Sequence, residues 1–187
     1  MKGREMLYNK IIVLKDGRKC CLRNGTEQDG QEALDNFLEV HEQTDFLMSY
    51  PDENTFTAED EGKFLREKTD SEDAVELAAI VDGKLVGLAA IEPVGAKSKV
   101  KRRALFGISI DKGYWGLGIG KEMMHACIEC AKKAGYSQLE LDVVAENERA
   151  VELYRKMGFV EYGRNPRGFF SRFTGWQELI LMRLELD

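Results

Sequence analysis

The chain has 187 residues, of which 43% are hydrophobic and 32% charged, with a net charge of −6. That length suits one domain with a substantial core rather than two. The acidic balance lacks the positive footprint of general nucleic-acid binding, and no window approaches the roughly 18 apolar residues of a membrane span.

Met1-Lys2-Gly3-Arg4-Glu5 has no apolar stretch of the leader type behind it, so a cytoplasmic location without a membrane partner is expected. The first hairpin is read over residues 10–23, where Ile11-Ile12-Val13-Leu14 and Lys19-Cys20-Cys21-Leu22 flank a turn on Asp16-Gly17. Thr26 then caps a helix carrying Ala33, Leu34, Phe37, Leu38 and His41 at three- and four-residue spacing. It is expected to reach the mid-forties and to stop before Pro51. Thr57 opens a second helix, with Glu59, Asp60 and Glu61 in the first turn where the helix dipole favours negative charge. Together with Asp52 and Glu53 these acids read either as a solvated helix face or as a surface that attracts a cation.

From residue 74 the pattern changes to strands, 74–81 and 84–91, joined by Asp82-Gly83 and ending at Glu92-Pro93. The basic run over 97–103 reads as a solvated loop. In the next strand, 104–110, Ala104, Phe106, Ile108 and Ile110 share one face while Leu105, Gly107 and Ser109 share the other. Apolar residues on both faces predict a central strand, and Gly107 marks a bulge or the close approach of a backbone or ligand.

Gly116-Leu117-Gly118-Ile119-Gly120 leads into a helix over about 118–134 that stops at Gly135. A strand running through glycines into a helix leaves free N–H groups at the positive end of the dipole, which is a phosphate site. Cys127 and Cys130 form a CxxC, yet they lie on the helical stripe of Ile119, Met123 and Ala134 and read as core residues rather than metal ligands. Leu139, Leu141 and Val143 alternate with Glu140 and Asp142 in a strand. A helix over about 147–157 ends at Gly158, and two last strands cover 159–164, resuming through 173, and 176–186. With no repeat or linker, one domain over 1–187 is expected.

Spacing excludes two phosphate loops. A Walker loop counted back from Gly120-Lys121 would need glycine at Trp115 and a hydroxyl at Glu122. A Rossmann fingerprint has a different last step and stands near the start of its unit, not behind four strands and two helices. What remains resembles the pyrophosphate loop of the Gcn5-related N-acetyltransferases, Gln/Arg-x-x-Gly-x-Gly/Ala, matched at Gly118 and Gly120 and departing at Trp115. At the right distance, Asn147-x-x-Ala150-Val151-x-Leu153-Tyr154-x-x-x-Gly158-Phe159 is similar to the family's second segment at every fixed position.

The resemblance implies an α/β fold: a mixed, mostly antiparallel sheet of about six or seven strands flanked by about four helices. The acceptor-side helices would lie within about 26–73, the acetyl-CoA core within 104–159, and a C-terminal hairpin within 159–187. It also implies acetyl-CoA as co-substrate, no metal, and an amine acceptor, either a small molecule or a protein N-terminus, attacked directly in a ternary complex. The alternatives are a non-catalytic acyl-CoA sensor and a basic-loop interaction module, and a homodimer is compatible with the family.

Asn147, Ala150, Val151 and Tyr154 fall on one helical stripe, with Asn147 and Tyr154 about 10.5 Å apart along the axis. The pantetheine arm would then pair with Ile108, Ser109 and Ile110 and meet Asn147, its pyrophosphate would be held by Gly116, Leu117, Gly118, Ile119, Gly120 and Lys121, and its sulfur would reach Tyr154. A neutral phenol can hydrogen-bond or protonate the leaving thiolate, so Tyr154 is the candidate acid. The family's strand glutamate is missing from residues 104–107. Glu92 is the nearest acid by sequence, and a water relay is the other route for the acceptor's proton. The hairpin over 169–178 resembles the family's acceptor-side lining, with simple sheet packing as its other reading.

Overall fold

A computed structural model describes residues 6–186, so Met1 to Glu5, on which the leader reading rested, and Asp187 lie outside the described residues. The first hairpin pairs β1 (Asn9–Val13) with β2 (Lys19–Asn24), turning through Gly17 at φ +88°. Thr26 caps a 3-10 turn (Glu27–Asp29) that feeds α1 (Gly30–Gln43) rather than capping α1 itself. The second helix, α2 (Ala58–Asp70), starts as expected, with Thr57 Oγ1 accepting the Asp60 N–H at 3.2 Å.

Strands β3 (Val75–Val81) and β4 (Lys84–Pro93) join through Asp82 and Gly83, both at positive φ, the geometry that tight hairpins need. Then come β5 (Arg103–Ile110), α3 (Ile119–Ala134), β6 (Gln138–Val144), α4 (Glu148–Lys156), β7 (Val160–Ser171) and β8 (Gly175–Glu185).

The sheet has eight strands, not six or seven, because both strands of every hairpin join it in the order β1-β2-β3-β4-β5-β6-β8-β7. Its neighbours are antiparallel except β5 and β6. Strand alternation divides the side chains between two faces. Val75, Leu77, Ala79, Ala89, Ile91, Ala104 and Phe106 join the main core with Met123, Cys127 and Cys130 of α3 and Val151 and Tyr154 of α4. The opposite face is covered by α1 and α2, where Ala33 and Leu65 pack on Ala78 and Leu85.

That second cover stops at β5. Leu105 is 49% exposed and Gly107 is open, so the strand is central in order but bare on one side. Gly107 is not a bulge: its register with Ala90 is continuous, and a Cβ there would meet nothing within 4 Å. The cysteine thiols fit the core reading, with burial pushing Cys130 to about 11 and Cys127 well above its ordinary value. No helix among the described residues is long and apolar enough to cross a membrane.

Candidate active site

Arg103 and Glu140 clamp the one parallel junction among the described strands, with Arg103 Nη2 donating to Glu140 Oε2 at 2.7 Å. Three residue pairs form there, the last being Leu105 with Glu140, and beyond it β5 and β6 separate. The wedge between them opens into a cavity of about 440 Å³ lined by β5, the glycine loop, the end of α1 and α4.

The edge that β5 offers to this wedge follows from backbone alternation. Asp111 N–H donates to Val86 C=O across β4 at 2.9 Å, so groups of the same parity, including those of Ser109, also point to β4. Ile108 and Ile110 therefore present theirs to the wedge. The Trp115 indole caps the Ile110 carbonyl at 2.7 Å, which leaves the N–H and C=O of Ile108 and the N–H of Ile110 for an extended ligand. Ser109 lines the cavity, but its backbone belongs to the β4 ladder.

Gly116 and Gly118, at φ +81° and +100°, turn the chain into α3 in a conformation that side-chain-bearing residues seldom adopt. Glu122 N–H is the first to bond back into the helix, to Gly118 C=O at 3.2 Å, so the amides of Ile119, Gly120 and Lys121 stand at the positive end of the dipole. Leu117 differs from its neighbours. It does not line the cavity; its carbonyl accepts the Lys15 N–H at 3.2 Å and its side chain packs on the core.

Lys15, Lys121, Arg149 and Lys156 add positive charge around the cavity. Arg149 also lies 5.0 Å over the Trp115 ring. Lys15 and Arg149 carry no sequence signal of this role, because one comes from the first hairpin turn and the other stands just inside α4.

Asn147 is not inside the helix; it is the cap of α4, its Oδ1 accepting the Ala150 N–H at 3.3 Å. Asn147 is among the residues that line the cavity. Tyr154 also lines the cavity, 8% exposed, wedged against Phe106 and Phe159 at 6.3 and 5.8 Å between ring centroids. Burial pushes its phenol up to about 12, and its hydroxyl bonds to no described residue.

A second wall of the cavity is built from the end of α1 and the loop after it, with Val40, Gln43, Phe46 and Leu47 on the cavity. Gln43 ties this wall to the site, donating to Asp111 Oδ1 at 3.0 Å and accepting Lys112 N–H at 2.7 Å. The tip of the last hairpin clasps the same loop: Ser171 Oγ donates to Asp45 Oδ2 at 2.6 Å, and Arg172 lies 4.2 Å over the Tyr50 ring. The acidic surface read from the sequence is mostly spent, since Asp52 and Glu53 pair with Arg172, Glu59 with Lys63, and Asp60 caps α2. Glu61 alone among them turns inward.

Glu92 stands beside Leu105 on the face that α1 and α2 cover in part, ion-paired with Lys68 and outside the cavity lining. Asp142, which the sequence reading passed over, follows the last paired residue of β6 by two positions and shares a face with Leu105. Its side chain is exposed and, like Glu92, outside the cavity lining, and its carboxyl is pushed up by desolvation and then by Glu140. Among the described residues no His, Cys, Asp and Glu side chains group as a metal site would.

A family model described as the acetyltransferase (GNAT) family matches residues 36–159. Among curated relatives, an uncharacterized N-acetyltransferase of Methanocaldococcus jannaschii is 37% identical over 43% of this chain and 37% of its own length, so the chain spans just over a third of that relative. The ribosomal protein bS18 alanine N-acetyltransferase of Escherichia coli is 28% identical over 57% of this chain and 68% of its own. Among solved structures, a GNAT-family acetyltransferase from Streptococcus pneumoniae has a TM-score of 0.84 at 29% identity, covering 89% of this chain and 99% of that one. The fold is also that of a putative acetyltransferase from Salmonella typhimurium, determined with acetyl-CoA, at TM-score 0.79 and 16% identity over 90% and 94% of the two chains.

Proposed function

The chain belongs to the acetyltransferase (GNAT) family, and from that premise we propose that it transfers the acetyl group of acetyl-CoA to a primary amine by direct attack in a ternary complex. One observation carries the reading: the β5–β6 ladder ends at Leu105 and Glu140, and the resulting wedge is lined jointly by the glycine loop and the α4 stripe. The acetyl-CoA that accompanies the Salmonella structure supports the choice of donor. The E. coli relative, named for a ribosomal-protein alanine, keeps a protein N-terminus within the acceptor class.

In this reading the amides of Ile119, Gly120 and Lys121 take the pyrophosphate, helped by Lys15 and Arg149. The pantetheine arm continues the sheet as a strand on Ile108, passing the Asn147 amide and bringing its sulfur to Tyr154. The acceptor comes from the bare face beside Gly107. Its ammonium must shed a proton, at a cost of roughly 4.6 kcal/mol at pH 7. Glu92 is engaged by Lys68, so Asp142, beside the strand separation, is the proton acceptor in this proposal. The freed lone pair attacks the thioester carbon, the C–S bond breaks while Tyr154 donates its hydrogen bond to the departing thiolate, and the second proton of the attacking nitrogen passes to that thiolate, which leaves as the free thiol.

The test is thiol release from acetyl-CoA with a panel of amines, products identified by a mass gain of one acetyl group. CoA protection in thermal melts without turnover of any amine would favour an acyl-CoA sensor instead. Asp142→Asn should lower kcat by roughly 100-fold at neutral pH, the usual range for a general base, and an unchanged kcat would remove Asp142 from the mechanism.

A further inference from the structure

Trp115 stands where β5, the glycine loop and α4 meet on the cavity wall. We propose that Trp115 is a positioning residue for the phosphates of the donor: its ring stations the Arg149 guanidinium at the mouth of the glycine loop before the ligand arrives. The inference rests on the acetyl-CoA reading above.

The ring itself is held firmly. Its indole N–H donates to the Ile110 carbonyl at 2.7 Å, and the Trp115 backbone N–H donates to the Lys112 carbonyl at 3.2 Å, closing the 3-10 turn Lys112–Tyr114 that leads out of β5. That turn is pinned in its own right. Asp111 is 4% exposed and accepts the Gly113 N–H at 2.9 Å and the Gln43 amide at 3.0 Å, while Gln43 accepts the Lys112 N–H at 2.7 Å. Hydrogen bonds from α1 and β5 thus fix the platform on which the ring stands.

Arg149 is held differently. Its guanidinium lies 5.0 Å from the Trp115 ring centroid, and a Cβ on Gly116 would stand 3.7 Å from its Nη2, so the charged fork rests against the start of the glycine loop. No described carboxylate pairs with it, and Glu152, one turn further along α4, is taken by Lys156 at 2.6 Å. The difference between a ring and a carboxylate matters here. A carboxylate would neutralise the guanidinium and occupy its donors, whereas stacking uses only the face of the group and leaves the N–H edge and the charge for a ligand. The Lys112 ammonium also lies over this ring, at 5.9 Å, but Lys112 does not line the cavity, so Arg149 is the cation that the ring presents to it.

The consequence is preorganisation. Arginine has many rotamers, and ordering a free one on a phosphate costs side-chain entropy that a stacked one has already lost. Ile119, Gly120, Lys121 and Arg149 border the same cavity, so an anion at the loop would meet backbone donors from α3 and a fixed charged fork from α4.

The experiment measures dissociation constants by calorimetry for CoA and for pantetheine, which carries the same arm and thiol without the phosphates. Trp115→Leu should weaken CoA by roughly threefold or more, the scale of a cation–π contact, and leave pantetheine unchanged. In an Arg149→Ala background, Trp115→Leu should cost CoA nothing further, because the ring then has no cation to station. A Trp115→Leu loss shared equally by CoA and pantetheine would mark a merely structural ring and overturn the proposal. So would losses from the two substitutions that multiply in the double variant. Should Trp115→Leu not fold, Arg149→Lys decides, since lysine keeps the charge without the planar face that stacks: a loss confined to CoA upholds the proposal, and CoA binding as tight as in the unaltered protein refutes it. If CoA does not bind the unaltered protein, the acetyl-CoA reading falls and takes the proposal with it; if CoA binds and the two losses multiply, the proposal falls alone.

Discussion

Removing the Tyr154 hydroxyl tests the leaving-group half of the mechanism, and the structure sets the size of the effect. Burial holds the phenol at about 12, whereas a thiol lies near 8.5. Complete proton transfer from phenol to thiolate would be uphill by roughly 5 kcal/mol. The phenol therefore acts chiefly by donating a hydrogen bond to the charge that develops on sulfur, worth about 1.5–3 kcal/mol for a charged acceptor. Tyr154→Phe should lower kcat by about 10- to 150-fold. Because the charge develops only as the C–S bond breaks, the KM for acetyl-CoA should hardly move. The fold supplies a control, since the hydroxyl bonds to no described residue and the ring keeps its contacts with Phe106 and Phe159, so thermal stability should be retained. Steady-state thiol release at saturating acetyl-CoA is the assay. A kcat within about twofold of the unaltered enzyme, or a loss appearing in KM alone, would refute the reasoning.

Gly118→Ala places a side chain at φ +100°, costing about 1–2 kcal/mol locally; the KM for acetyl-CoA should rise while the melt remains cooperative. Arg149→Ala removes a cation from the cavity and a partner from Trp115, so acetyl-CoA binding should weaken and become less sensitive to salt in a titration. Stability should fall as pH rises between about 4.5 and about 8 through Glu76, because the folded chain holds a proton there that the unfolded chain releases. That contribution is fully present below the ordinary carboxyl value and lost above the raised one. Thermal melts across this range should show a flatter profile for Glu76→Gln, and parallel profiles would contradict the assignment.

The parts of the site that could be read in the chain are those whose function depends on neighbours in sequence. Gly116 to Lys121 together with the Asn147 to Tyr154 segment carry the family resemblance, and all of these residues line one cavity except Leu117, Glu148 and Val151. Local chemistry also fixed the Thr57 cap, the Asp82-Gly83 turn and the stop at Gly135. Where the reading departed, a distant contact intervened. Leu117 turns away because the first hairpin takes its carbonyl, and the Ser109 backbone is claimed by β4; the Asn147 cap alone is local, its oxygen spent on Ala150 N–H.

The sequence by itself determined the local geometry of the proposed donor side: a loop of backbone amides ahead of a helix and a tyrosine two turns into the next one, because short-range spacing dictates where those groups point. Only the tertiary structure decided the acceptor side. The separation of β5 from β6, the capture of Glu92 by Lys68 and the place of Asp142 beside the wedge all depend on strands and helices far apart in the chain. A carboxylate's basicity is set by what surrounds it in space, and spacing along the chain does not carry that information.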